Sequence, residues 1–158
     1  MAEGKPSAFR FALEKPEAMS RMLKSLVGVS LLTCILGTAA MAQDVSFGQR
    51  IFQDKGDCKF CHGANGDGRG DPRSPGAGAN FHQTALKREQ IIEVITCGRP
   101  GTEMPHFDKY AYDDDTPCYG MKEKDVGKDK PPEPHSTSLT KREIEAAADY
   151  ILATFVGK

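Results

Sequence analysis

Apolar residues recur at helical spacing in two stretches on either side of a glycine-rich segment. In the first, Phe47, Ile51 and Phe52 fall on one side of a helix, which predicts a helix from Val45 to Gly56. Gly56 suits the stop of this helix, because glycine adopts the left-handed C′ conformation without strain. The second stretch predicts a helix over residues 86–96, which follows Thr84 as a candidate N-cap and has Gly98 as its stop.

A third helix is predicted near the C-terminus, over residues 140–156. Thr140 and Glu143 match a capping box, in which the side chain of the third helical residue reaches back to the N-cap. The apolar positions of this segment form one stripe, as expected for a helix packed on a core. The stripe consists of Ile144, Ala148, Ile151, Leu152 and Phe155.

Two stretches between these helices lack apolar periodicity. Gly63 to Ala79 contains six glycines and two prolines in 17 residues, which predicts a loop. Residues 106–138 are polar and include Asp113, Asp114 and Asp115, and we expect a long polar loop there, longer than most compact domains need. Adjacent carboxylates point in different directions, so the three aspartates predict a solvated acidic patch and not a calcium loop.

The N-terminal part of the chain has the pattern of an export signal. Leu26 to Ala42 is almost wholly apolar, Arg21 and Lys24 precede it, and it ends in an A-x-A cleavage pattern. We therefore expect residues 1–42 to be an N-terminal extension with a Sec-type signal peptide, and residues 43–158 to be the mature domain in the periplasm. The alternative is an uncleaved segment that anchors the protein to the membrane, facing the periplasm. Because acidic residues precede the apolar stretch, Met19 or Met22 would make a more typical start.

Charge and cysteine content narrow the function further. Five of the 21 basic residues and three of the 22 acidic residues lie in residues 1–42. The mature domain therefore has 16 basic and 19 acidic residues, which gives it a net charge of −3. A nucleic-acid partner is not expected at this charge. Four of the five cysteines remain after cleavage, in an oxidising compartment.

Three of the candidate site residues form one short motif. Cys58, Cys61 and His62 stand in the order C-x-x-C-H, which is typical of a c-type haem attachment site. Both thiols can add to the vinyl groups of one haem, and the adjacent imidazole can bind the iron. A zinc site would need a second Cys/His pair at ligand spacing, and a thioredoxin-like motif would need a βαβ pattern. The sequence contains neither.

The motif and its surroundings resemble a known family. Cys58 to Gly70 is similar to the haem-binding segment of class I c-type cytochromes, and Gly98 to Phe107 is similar to the segment that carries their methionine ligand. The resemblance covers Val45 to Val156. It implies an all-α fold in which helices and loops surround one covalently bound haem c, and a His/Met-ligated, exported, bacterial type of monohaem cytochrome.

The resemblance also implies roles for particular residues. Met104 precedes Pro105 in a Met-Pro pair that recurs in the family, so Met104 is the expected distal ligand. Met121, the other methionine of the mature domain, lacks this context. Three histidines remain as rival ligands, although each is expected to lie on the surface or in a loop: His82, His106 and His135.

Two further roles follow from the family pattern. The first and last helices should cross closely at Gly48, Phe52 and Tyr150. A proline carbonyl, from Pro75 or Pro72, should accept the N–H of His62 and fix its ring.

With both axial positions filled, the expected activity is transfer of single electrons, without catalysis of a reaction. The resemblance implies a dehydrogenase as the electron donor and an oxidase or a bc-type complex as the acceptor. A dedicated subunit of a membrane or periplasmic dehydrogenase or oxidase complex is the second hypothesis, and a haem sensor or peroxidase-like enzyme with a displaceable ligand is the third. A membrane partner is expected only if the N-terminal apolar segment is retained.

The two cysteines outside the motif predict a disulfide. Cys97 and Cys118 are the only mature cysteines that haem attachment leaves unused, and the compartment permits the bond. Cys97 ends a predicted helix just before the Met104 loop. A bond to Cys118 would tie the polar segment across that loop and, by hypothesis, help to keep the thioether on iron.

Overall fold

A computed structural model describes residues 44–158, and these residues are all-α. In this part of the chain there is no strand, and one isolated β-bridge joins Cys118 to Met121. The helices of residues 44–158 are each too short or too polar to cross a membrane. The predicted signal segment, its cleavage pattern and the alternative start positions lie outside the described residues.

Five helices and two 3₁₀ turns follow one another along the described chain. The first helix, α1, covers residues 44–50 and continues as a π-helical turn over Ile51–Lys55. The remaining helices are α2 (Lys59–His62), α3 (Arg88–Cys97), α4 (Glu123–Val126) and α5 (Lys141–Thr154). The 3₁₀ turns are Phe81–Gln83 and Gly127–Asp129.

The first helix lies where its apolar spacing predicted it, but its end differs from the prediction. The N–H of Gly56 donates to the carbonyl of Ile51 over 2.8 Å, five residues back, which is the hydrogen bond of a π turn. Gly56 remains right-handed at φ −85°, and Asp57 takes the left-handed conformation at φ 46°. The prediction that Gly56 occupies the C′ position was therefore wrong.

The third helix begins later than predicted. Its N-cap is Lys87, whose N–H donates to Oε1 of Gln90 over 2.9 Å. The hydroxyl of Thr84 instead accepts the N–H of Leu86 at 3.3 Å, in a local turn ahead of the helix. Thr84 therefore orders the approach to α3 and does not cap it.

The last helix confirms its predicted cap and apolar stripe. The Glu143 carboxylate accepts the N–H of Thr140 at 2.9 Å, and it also pairs with Lys55 of the π turn at 2.5 Å. Four of the five stripe residues are buried, and Leu152 packs against the same core while partly buried. The cap of α5 therefore also joins this helix to the end of the first.

The helix crossing that the family resemblance implied is present. A Cβ atom on Gly48 would collide with the carbonyl oxygen of Ala146 and would lie 2.7 Å from Cβ of Tyr150, so only glycine permits this approach of α1 to α5. The rings of Phe52 and Tyr150 pack with centroids 5.5 Å apart. On α3, Arg88 makes a two-point ion pair with Asp149 of α5, at 2.6 and 2.8 Å.

The polar segment 106–138 is more ordered than its composition predicted. It contains α4 and a small cluster of buried side chains, formed by Ala111, Tyr112, Cys118 and Val126 together with Cys97 of α3. A main core is separate from this cluster and includes buried apolar residues of the π turn, α3 and α5, with Phe47 of α1 packed against it. The segment therefore packs as a small unit against the end of α3.

Candidate haem-attachment site

The C-x-x-C-H motif forms the short helix α2. Cys58 is its N-cap, and the N–H of His62 donates to the carbonyl of Cys58 over 2.9 Å. One helical turn places residues three apart on the same face, so the two cysteines are neighbours on α2. Both are free thiols and partly buried. The local helix therefore presents two thiols together, as attachment to one porphyrin requires.

The imidazole of His62 is buried and fixed by one hydrogen bond. Only 8% of the residue is exposed, and its Nδ1–H donates to the carbonyl of Ala79 over 3.0 Å. This bond leaves Nε2 as the nitrogen that can bind a metal. Burial lowers the pKa of His62, and the hydrogen bond to Ala79 offsets this only in part, so the ring favours the neutral form that coordinates iron.

The acceptor for His62 is not the proline carbonyl that the sequence predicted. Pro75 and Pro72 were the candidates, and the structure uses Ala79 instead. The loop brings Ala79 there because Gly78 crosses directly over the ring, with its N–H donating to the Cys61 carbonyl at 2.9 Å. Any residue offers a backbone carbonyl, so the sequence contained no signal for Ala79.

Two more residues hold the imidazole and were missed by the sequence. The ring of Phe81 stacks on that of His62, with centroids 4.4 Å apart and planes 15° from parallel. A Cβ atom on Gly78 would lie 2.7 Å from both Cγ and Nδ1 of His62. The ring is therefore constrained by packing as well as by its hydrogen bond.

Burial also affects the two thiols. It raises the pKa of Cys58 to about 12 and raises the pKa of Cys61 as well, and the carboxylate of Asp57 acts in the same direction on both. Both thiols are therefore protonated in this fold at neutral pH.

The loop after α3 positions Met104 at the main core. Met104 is partly buried and packs against the same cluster as Cys58. Its carbonyl accepts the N–H of Arg99 at 3.2 Å, and its N–H donates to the hydroxyl of Thr102 at 3.2 Å. Both backbone polar groups of Met104 are thus hydrogen-bonded to earlier residues of the same loop.

Met121 lies in a different environment. Cys118 and Met121 exchange two backbone hydrogen bonds of 2.9 and 2.8 Å across a two-residue turn, and Cys118 belongs to the small cluster, separate from the main core. Its backbone is therefore fixed in a hairpin of segment 106–138.

The three rival histidines are engaged or exposed. Nε2 of His82 bonds to the carbonyl of Asn65 at 2.9 Å, and His135 is exposed. His106 was expected on the surface or in a loop, and it lies in a loop. It is only 2% exposed, and its Nδ1 donates to the carbonyl of Asp108 over 3.0 Å.

The acidic run lies at the surface of segment 106–138. Asp113, Asp114 and Asp115 are exposed, and Asp114 pairs with Lys122 at 2.7 Å. Among the residues that the structure describes, no three His, Cys, Asp or Glu side chains are arranged to hold a metal ion by themselves.

The two remaining cysteines meet at the junction of α3 and segment 106–138. The sulfurs of Cys97 and Cys118 are bonded in the structure, with Cα atoms 5.6 Å apart, and both residues are buried. Beside this bond, the hydroxyl of Tyr119 donates to the carbonyl of Gly98 over 2.6 Å. No sequence pattern singles out Tyr119.

Comparison with known proteins connects this site to one family model. Residues 43–116 match the family described as cytochrome C oxidase, cbb3-type, subunit III. The match includes the attachment helix and the Met104 loop. Neither the curated proteins nor the solved structures contain a match to the chain. The matched family, together with the geometry of the two thiols and the buried imidazole, supports covalent binding of haem c and a role in electron transfer.

Proposed function

We propose that this chain is a c-type cytochrome, and that it is a periplasmic carrier of single electrons between a dehydrogenase and a respiratory acceptor, an oxidase or a bc-type complex. In this proposal one haem c is attached through Cys58 and Cys61, with His62 and Met104 as axial ligands. The observation that carries it is the hydrogen bond from Nδ1 of His62 to Ala79, because it leaves Nε2 of a buried, neutral imidazole for the iron.

Each protein group has a separate task in this proposal. A bound haem supplies a one-electron iron couple. The two thiols would hold the porphyrin, and the carbonyl of Ala79 would make His62 a more basic ligand and fix its ring. The thioether of Met104 would fill the second axial position and favour reduced iron. With both positions filled, the iron would exchange electrons without binding a substrate, and little rearrangement would accompany each transfer.

Packing supports Met104 over Met121 as the second ligand. Met104 and Cys58 pack against one core, and both the N–H and the carbonyl of Met104 are hydrogen-bonded within its loop. The backbone of Met121 is fixed in the hairpin with Cys118, whose side chain belongs to the separate small cluster.

The spectra of two methionine variants test this assignment. Met104→Ala should lose the Met–iron charge-transfer band of the ferric protein, lower the reduction potential and let the ferrous protein bind carbon monoxide. Met121→Ala is the matched control and should do none of these. If the two phenotypes were exchanged, the ligand would be Met121. His62→Ala should not yield low-spin haem protein, and a normal spectrum from that variant would contradict the proposed site.

A second candidate function is that of a dedicated cytochrome subunit in a dehydrogenase or oxidase complex. The family match favours it, because the matched model describes a subunit of an oxidase. Fractionation of native cells without detergent separates the two candidates. A free carrier should appear in the soluble extract as a monomer, whereas a subunit should co-purify in constant ratio with one complex.

A further inference from the structure

Segment 106–138 contains a tight hairpin beside the end of α3. Cys118 and Met121 pair with each other on either side of a two-residue turn. The turn residues, Tyr119 and Gly120, both have positive φ, 55° and 73°. Two positive φ values are typical of the type I′ turn, which matches the twist of a hairpin. The position of the Tyr119 side chain is therefore defined by a rigid turn.

This hairpin is tied to the end of α3 by two independent bonds. One is the bond between Cys97 and Cys118, and the other is the hydrogen bond of 2.6 Å from the Tyr119 hydroxyl to the carbonyl of Gly98. Burial raises the pKa of Tyr119 to about 12, so its hydroxyl remains a donor throughout the neutral and mildly alkaline range. The two bonds thus join neighbouring residues at the end of α3, Cys97 and Gly98, to neighbouring residues of the hairpin.

Gly98 in turn contacts the Met104 loop closely. A Cβ atom on Gly98 would lie 2.6 Å from the carbonyl oxygen of Met104 and 2.8 Å from the carbonyl carbon of Pro105. The same carbonyl of Met104 accepts the N–H of Arg99. A displacement of Gly98 would therefore move the backbone of Met104, because the contact leaves no space between them.

The part of segment 106–138 that follows α4 also contacts the Met104 loop. The N–H of Gly101 donates to the carbonyl of Asp129 over 2.8 Å, and the N–H of His106 donates to the carbonyl of Pro132 over 3.1 Å. The first of these bonds joins the loop to the segment ahead of Met104, and the second fixes His106, the first residue of the segment, two positions after Met104. Among the described residues, the hydrogen bond from the Tyr119 hydroxyl is the one side-chain hydrogen bond that connects the hairpin to Gly98.

We propose that Tyr119 is a positioning residue for the axial ligand: its hydrogen bond to Gly98 holds the Met104 loop in the conformation that keeps the thioether on iron. This inference rests on the proposed function, because it requires Met104 to be the ligand. It predicts that loss of the hydroxyl increases the fraction of molecules in which Met104 is detached.

Competition with imidazole measures that fraction in the intact haem protein. Imidazole binds ferric iron only where Met104 has left it, so the apparent Kd varies inversely with the detached fraction. Tyr119→Phe removes one hydrogen bond and should tighten imidazole binding about fivefold. Tyr110→Phe is the matched control, because Tyr110 is 54% exposed on the same segment and should leave the Kd unchanged.

A double-mutant cycle separates positioning from a general structural effect. Once Met104→Ala has emptied the axial position, adding Tyr119→Phe should not tighten imidazole binding further. An equal tightening in the Met104→Ala background, or a Tyr119→Phe protein that binds no more tightly than Tyr110→Phe, would overturn the inference. If Met104→Ala itself bound imidazole like the wild type, the proposed ligand would be wrong, which is a distinguishable result. Tyr119→Gly removes the same hydroxyl, suits the positive φ, and replaces Tyr119→Phe if that variant yields no haem protein.

Discussion

Gly78 crosses the imidazole of His62 so closely that a Cβ atom at this position would lie 2.7 Å from Cγ and from Nδ1 of the ring. The next residue, Ala79, supplies the carbonyl that accepts the Nδ1–H. Gly78 and Ala79 therefore determine both how closely the backbone approaches the ring and which carbonyl accepts the hydrogen bond of the ring. The orientation of the proposed proximal ligand depends on the absence of one methyl group.

We expect Gly78→Ala to displace His62 or the loop above it. The added methyl group would also meet the carbonyl oxygen of Cys61 at 2.8 Å, so the backbone cannot yield easily. Such overpacking costs about 1–3 kcal/mol of unfolding free energy, which denaturant unfolding of the haem protein measures. The reduction potential should shift as well, because the ligand ring turns or its hydrogen bond to Ala79 lengthens.

Gly76→Ala is the matched control for this prediction. It lies two residues earlier in the same loop, and a Cβ atom there would have no neighbour within 4 Å. Both its stability and its potential should equal those of the wild type. If Gly78→Ala behaved like Gly76→Ala, the contact between Gly78 and the ring would not constrain the ligand.

The sequence predicted the local features of this protein better than the long-range ones. Three of the helices, α1, α3 and α5, follow from apolar spacing, and the cap of α5 follows from Thr140 and Glu143, which are close in the chain. The carbonyl of Ala79 was not predictable, because its role depends on the path of a loop and not on its side chain. The buried cluster around Tyr112 was missed for a related reason, since apolar residues in a loop have no period.

Glu143 makes stability depend on pH in the acidic range. Burial alone would raise its pKa, but the hydrogen bonds from Lys55 and Thr140 outweigh this and lower the pKa below its ordinary value of 4.5. The folded state therefore binds the proton less well than the unfolded state. Its stabilising contribution is complete above the ordinary value and is lost as the pH falls through the lowered pKa.

Glu143→Gln should reveal this contribution. The variant should unfold more easily than the wild type at pH 7, by about 1 kcal/mol, because it loses the charged half of the cap and the pairing with Lys55. As the pH falls below 4.5 and through the lowered pKa of Glu143, the difference should shrink, because the wild-type carboxylate is progressively protonated. Glu145→Gln, which removes a carboxylate from the same helix outside the cap, should not show this pH dependence. Unfolding in urea at several pH values measures all three proteins, and a constant difference across this range would contradict the assignment.

The bond between Cys97 and Cys118 should be present in the mature protein and should stabilise it. The two residues are 21 apart in the chain, and the loop-closure model gives roughly 3 kcal/mol for a ring of this size. Peptide mapping without reductant should recover the linked peptide, whereas alkylatable thiols at both positions would show that the bond does not form. Both residues are buried, so Cys97→Ala/Cys118→Ala is the appropriate variant, because it leaves no buried hydroxyl without a partner. This variant should still attach haem through Cys58 and Cys61, unfold at lower denaturant concentration and bind imidazole more tightly than the wild type. Normal imidazole binding with reduced stability would mean that the bond stabilises the fold without holding Met104 on the iron.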